Sequence, residues 1–101
     1  VNIKENLKET SRIKKLLKSI TIDKPKVFTE EELKEVLELL KDKKHGYVLR
    51  SKGIIQIKMG KTVHFDFTPN NYSYEYMDEI CESKVVIIGL LLNTKLVKEL
   101  F

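Results

Sequence analysis

The stretch 47–58, "YVLRSKGIIQIK", sets two cations, Arg50 and Lys52, inside an otherwise apolar run. Residues i and i+2 of a strand project from one face, so both cations stand on the same side of a sheet. Such a pair binds carboxylates, either of another protein or of this domain's own acidic helix. Gly53, next to them, offers a bulge or room for close approach of another backbone. His64 lies on the polar side of the next strand-like run, opposite in direction to Val63 and Phe65. It reads as a solvated strand residue before it reads as a metal ligand or proton carrier. Arg50, Lys52, Gly53 and His64 are therefore the candidate interaction surface.

Other chemistry finds little support. His45 sits in a Lys-rich turn and Cys81 is the single cysteine. A metal-binding enzyme built on His45, His64 and Cys81 would have to take up zinc at a useful stoichiometry. No Gly-x-x-x-x-Gly-Lys-Ser/Thr loop or Gly-x-Gly-x-x-Gly turn is present to cradle nucleotide phosphates. Glu30, Glu31, Glu32 and Glu35 suit the start of a helix and need no catalytic explanation. Asp78, Glu79 and Glu82 read as a solvated acidic stretch. No catalytic, cofactor-binding or metal residue is assigned.

Charge narrows the partners. Of the 101 residues 34% are charged, and the formal net charge is +4. Residues 1–18 carry six cations (Lys4, Lys8, Arg12, Lys14, Lys15, Lys18) against Glu5 and Glu9, and the remaining 13 basic and 13 acidic residues cancel. The basic character belongs to the leading segment alone. A small standalone nucleic-acid-binding domain using that segment is the alternative function. Tyr72, Tyr74 and Tyr76 could stack bases, but Glu75, Asp78 and Glu79 beside them would repel phosphate. This argues against nucleic acid as the partner.

The longest apolar runs, Val85 to Ile88 and Leu90 to Leu92, are far shorter than the roughly 18 residues of a membrane span. A lone cysteine fits a reducing, cytoplasmic setting. Val1 in place of a methionine suggests a cut or processed product.

Ile3, Leu7, Ile13, Leu16, Leu17 and Ile20 fall near one helical stripe, which predicts a basic leading helix or interdomain linker over 1–18. "SITID" at 19–23 reads as a short strand ended by Pro25. Thr29 and Glu32 form a capping box, with Phe28 and Leu33 placed for a staple, and Leu33, Val36, Leu37 and Leu40 continue one helical face. Lys41, Lys43 and Lys44 suit that helix's negative end, and Gly46 closes it. The period then becomes two. Ile55, Ile57 and Met59 share one face of a strand, Gly60-Lys61 turns, and Val63, Phe65 and Phe67 share one face of the next. "YSYEYM" reads as an edge strand. "KVVIIG" at 84–89 reads as a central strand covered on both faces, and Asn93 caps a last helix carrying Leu96, Val97 and Leu100. The expected fold is α+β: a two-layer sandwich of a mostly antiparallel four- to five-stranded sheet with two helices on one face, plus the leading helix.

Three blocks in this order carry a resemblance. "VLRSKGIIQI" resembles the Val-Leu-Arg-Ala-Lys-Gly strand of the C-terminal domain of the CobW family of GTP-dependent metallochaperones. "KPKVFTEEELKEVLELL" looks like that domain's strand and proline-phenylalanine entry into its first helix. "KVVIIGLLLNTKLVKEL" is similar to its closing strand, which ends in Ile-Gly before a capped short helix. Residues 19–101 would then be a CobW C-terminal-like α+β domain. Arg50, Lys52 and Gly53 stand at the family's Arg-x-Lys-Gly, and Ile88 and Gly89 at its Ile-Gly. The resemblance implies a protein-interaction or regulatory module without GTPase activity of its own. It also implies a parent that binds GTP and a transition metal such as zinc or cobalt. The implied partners are the parent's GTPase domain and a client metalloprotein. The phosphate loop and Cys-x-Cys-Cys motif of the family's GTPase domain are absent from this chain, so none of its catalytic residues carries over.

Overall fold

A computed structural model describes residues 16–78 and 82–101. The predicted leading helix lies outside these residues, apart from its last three positions. Leu17 and Lys18 belong instead to the first strand, β1 (Leu17–Asp23), because they continue its ladder by pairing with Leu90 and Gly89. The chain then forms α1 (Glu30–Leu39), a 3-10 turn (Lys43–His45), β2 (Tyr47–Ile57), β3 (Lys61–Thr68), β4 (Asn71–Met77), β5 (Lys84–Leu90) and α2 (Thr94–Leu100). The five strands make one antiparallel sheet in the order β1-β5-β2-β3-β4.

One face of the sheet carries both helices. Ile20, Ile55, Ile57, Val63, Phe65, Phe67, Val85 and Ile87 from the strands join Leu33, Val36, Leu37 and Leu40 around α1 and Val97 from α2 in a single buried core. The α1 stripe is the one expected from the sequence. Its capping box is complete: the Glu32 amide donates to Thr29 Oγ1 and the Thr29 amide to Glu32 Oε1, both at 3.1 Å. Asn93 caps α2 by accepting from the Leu96 amide at 3.1 Å. Phe28 forms a parallel bridge to Ile57, which draws the approach to α1 alongside the end of β2.

Four local features differ from the periodicity. The run Lys41–Gly46 does not extend α1. Asp42 caps the separate 3-10 turn by accepting from the Lys44 amide, and Gly46, at φ 92°, closes that turn. His45, in this turn, is buried. Met59 leaves the core face for the hairpin loop, where it is 96% exposed. The loop needs positive φ at both Met59 and Gly60 (77° each), and the ladder resumes with Ile57 opposite Lys61. The bulge in β2 lies at Leu49, between the Val48–Gly89 and Arg50–Ile88 pairs, and not at Gly53. Finally, β5 is an interior strand, between β1 and β2, but among the described residues only its core face is covered. Ile88 on the outer face is 38% exposed.

Candidate functional site: the open face of the sheet

The bulge decides which residues of β2 face outward. An uninterrupted strand would set Tyr47 and Ser51 on the same face. The extra residue at Leu49 turns Ser51 inward instead, where its hydroxyl donates to the Val86 carbonyl at 3.0 Å. Arg50 and Lys52 thereby stand on the open face with Tyr47. Across the sheet the rows run Leu17–Leu90–Tyr47, Ser19–Ile88–Arg50, Thr21–Val86–Lys52–Asp66–Ser73 and Asp23–Lys84–Ile54–His64–Glu75. Arg50, Ser51, Lys52, Val86 and Ile88 line a shallow depression of about 350 Å³ with an apolar floor.

The two cations of the opening motif are not equivalent. Arg50 Nη2 lies 3.2 Å from Asp66 Oδ2, and this hydrogen-bonded pair holds the Asp66 carboxyl below its ordinary value. Lys52 stands directly opposite Asp66 and adds to that effect, but among the described residues it makes no ion pair. Both members of the Arg50–Asp66 pair are well exposed, so it contributes at most about 1 kcal/mol. Stability alone does not account for two cations here. Gly53 points to the core, where an added Cβ would meet Phe65 Cε1 at 2.5 Å and Val85 Cγ2 at 2.9 Å. Its role is to admit the Phe65 ring, and it enters the surface only by holding β2 in place. His64 is half-buried on the open face between Ile54 and Glu75.

The tyrosines of β4 point the other way, toward α1. The Tyr74 hydroxyl donates to Glu30 Oε1 at 2.7 Å and the Tyr76 hydroxyl to Glu30 Oε2 at 2.8 Å, while Lys41 Nζ lies 5.4 Å from the Tyr72 ring centroid. One carboxylate at the start of α1 thus clamps the edge strand. The two tyrosine bonds and Lys34 hold Glu30 below the ordinary carboxylate range, and the same bonds raise both phenols. The clamp is complete at neutral pH. Its contribution from Glu30 is lost as pH falls through that lowered value, and its contribution from the phenols is lost as pH rises above the ordinary tyrosine range. In an ultraviolet titration Tyr74 and Tyr76 should ionise late, and Glu30→Ala should bring both back toward 10.0. Superimposable curves for the two proteins would contradict the clamp. With two of the three hydroxyls so engaged, the stripe is committed to packing and does not form a stacking platform for bases.

Among the described residues no group of three or more His, Cys, Asp and Glu could hold a metal ion, and no helix is long and apolar enough to cross a membrane. The sequence reading missed Asp66 as the partner of Arg50, and it missed the apolar row Leu17–Leu90–Tyr47. Neither has a local signal: with Val48 and Leu49 both apolar, the sequence leaves the phase of β2 open, and the structure settles it by burying Val48 and Ile55, which have opposite parity.

Comparison with solved structures shows the same fold. A Zn(II)-bound YjiA GTPase from E. coli matches with a TM-score of 0.71 and 23% identity, over 90% of this chain and 30% of that one. A Zn(II)-bound triple mutant of the YjiA GTPase matches with a TM-score of 0.71 and 24% identity, over 85% of this chain and 29% of that one. The chain therefore spans less than a third of the solved proteins it matches. No curated protein matches it in sequence. The family described as the cobalamin synthesis protein cobW C-terminal domain matches residues 17–101, the whole of the sheet and both helices. The chain belongs to the CobW C-terminal domain family.

Proposed function

We propose that this chain is the C-terminal protein-interaction module of a CobW-like GTP-dependent metal chaperone, and that it works through the open face of its sheet. The observation that supports this is an interior strand whose outer face no described residue covers: Val86 and Ile88 form an apolar floor beside Arg50 and beside Lys52, which makes no ion pair among the described residues. A two-layer domain leaves one sheet face to solvent, and that face is ordinarily polar. An apolar strip rimmed by cations suits a protein surface that offers carboxylates around an apolar ridge. GTP and a metal such as zinc or cobalt belong to the parent protein in this reading. The domain supplies contacts to the GTPase domain or to a client metalloprotein in a cytoplasmic setting.

The test is binding to a nucleotide-loaded GTPase of the same family. Lys52→Glu should weaken it about tenfold, a loss of about 1.4 kcal/mol, with the fold intact because Lys52 is exposed. Affinity unchanged in Lys52→Glu and also in Arg50→Glu/Lys52→Glu would remove these cations from the interface.

A further inference from the structure

The open face is not uniform. Toward one corner Leu17, Leu90 and Tyr47 form a single row, Ile88 follows in the next, and Leu91 extends beyond the end of β5. Tyr47 is 52% exposed and Leu91 71%. At the opposite corner the same face is polar, with Asp23 paired to Lys84 at 3.7 Å and His64 beside Glu75. Exposed apolar side chains scattered singly need no explanation, but a contiguous set graded toward one corner marks a contact surface.

We infer that this apolar corner is the seat of the GTPase domain, and not of a client. The inference rests on the function proposed above. Its independent support is where the chain runs. Leu16 is 57% exposed and leads directly into Leu17, the first residue of the apolar row. The family match also begins at residue 17, the domain is C-terminal by description, and it accounts for 29% of a matched GTPase chain. In such a protein the remaining polypeptide reaches this domain through β1, beside the patch. A body tethered there is presented at an effective concentration on the order of millimolar. A modest apolar surface is then enough to seat it, whereas a client arriving from solution gains nothing from the tether. The bulge contributes directly, because it sets Arg50 on the same face as Tyr47, beside the patch.

The experiment is site-specific photocrosslinking in the natural polypeptide, expressed in its own cell. Tyr47→p-benzoylphenylalanine probes the apolar corner, and Glu75→p-benzoylphenylalanine probes the polar one. The expected result is that position 47 joins to a peptide of a phosphate-loop GTPase domain, and that adding Ile88→Asp cuts the yield at least tenfold. Ile88 is exposed, so the variant should keep its circular dichroism, and a paired Leu17→Asp variant should show the same loss. If position 75 captures the GTPase domain and position 47 does not, the proposed function stands and the corner assignment falls. The assignment also falls if position 47 captures residues 1–15, a second copy or another protein. Capture of a GTPase domain from neither position would overturn both.

Discussion

Gly89→Ala should destabilise the domain strongly for so small a change, costing about 3 kcal/mol or more. A Cβ at this position would run into the Tyr47 carbonyl oxygen of the neighbouring strand and come within 2.7 Å of Leu92 Cδ2. The first obstacle is backbone, which cannot rotate away as a side chain can. Relief requires β5 and β2 to part where Val48 pairs with Gly89, one residue from the bulge. For a domain of this size each kcal/mol lowers the melting temperature by about 4–8 °C, so a drop of roughly 12–24 °C is expected. Gly60→Asn is the control. Its φ of 77° suits asparagine, and nothing lies within 4 Å of an added Cβ, so little change is expected. A melting temperature for Gly89→Ala within about 2 °C of the parent would mean that β2 and β5 do not pair in this register.

Phe101→Ala is the second large effect, expected at about 3–5 kcal/mol. Phe101 is buried between two other aromatics. Its ring lies edge-on to Phe28, with centroids 6.1 Å apart, and stacked on Phe65 at 6.2 Å. These rings fill the layer between the sheet and the approach to α1, where the Lys26 amide also donates to the Phe101 carbonyl at 2.9 Å. The alanine variant keeps that backbone bond and loses the ring, so chemical denaturation isolates the packing contribution. A loss below about 1 kcal/mol, far under the ordinary range for a buried Phe, would show that the ring is not part of the core.

Most of the core was readable from period alone. The α1 stripe, its capping box, the Val63–Phe65–Phe67 face and the Asn93 cap are local patterns in which each residue's neighbours decide its environment. What period could not supply is coupling between distant segments. The bulge at Leu49 carries no glycine or proline to announce it, and Gly53 drew the attention because glycine is the usual marker of one. The choice of Asp66 for Arg50, 16 residues on, follows from the β2–β3 register. The clamp of Glu30 by Tyr74 and Tyr76 joins residues more than 40 positions apart, and sequence gives Glu30 a complete local explanation as a first-turn acid. Phe101 stands four residues after Val97 on the same helical stripe, so period could have found the position, but not the Phe28 and Phe65 rings that it meets. The open side of β5 was misjudged for a related reason. A continuous apolar run fits a strand buried on both faces, and it fits equally a strand whose second face awaits another protein.

That last equivalence bears most on function. If the apolar outer side of β5 is an interaction surface, adding a nucleotide-loaded GTPase of this family to the isotopically labelled chain should shift the amide resonances of Tyr47, Arg50, Lys52, Val86 and Ile88. Residues on the exposed side of α1, such as Glu31, Lys34 and Glu35, should not move. Shifts confined to the helix side, or no shifts at saturating GTPase, would contradict a docking role for the open face.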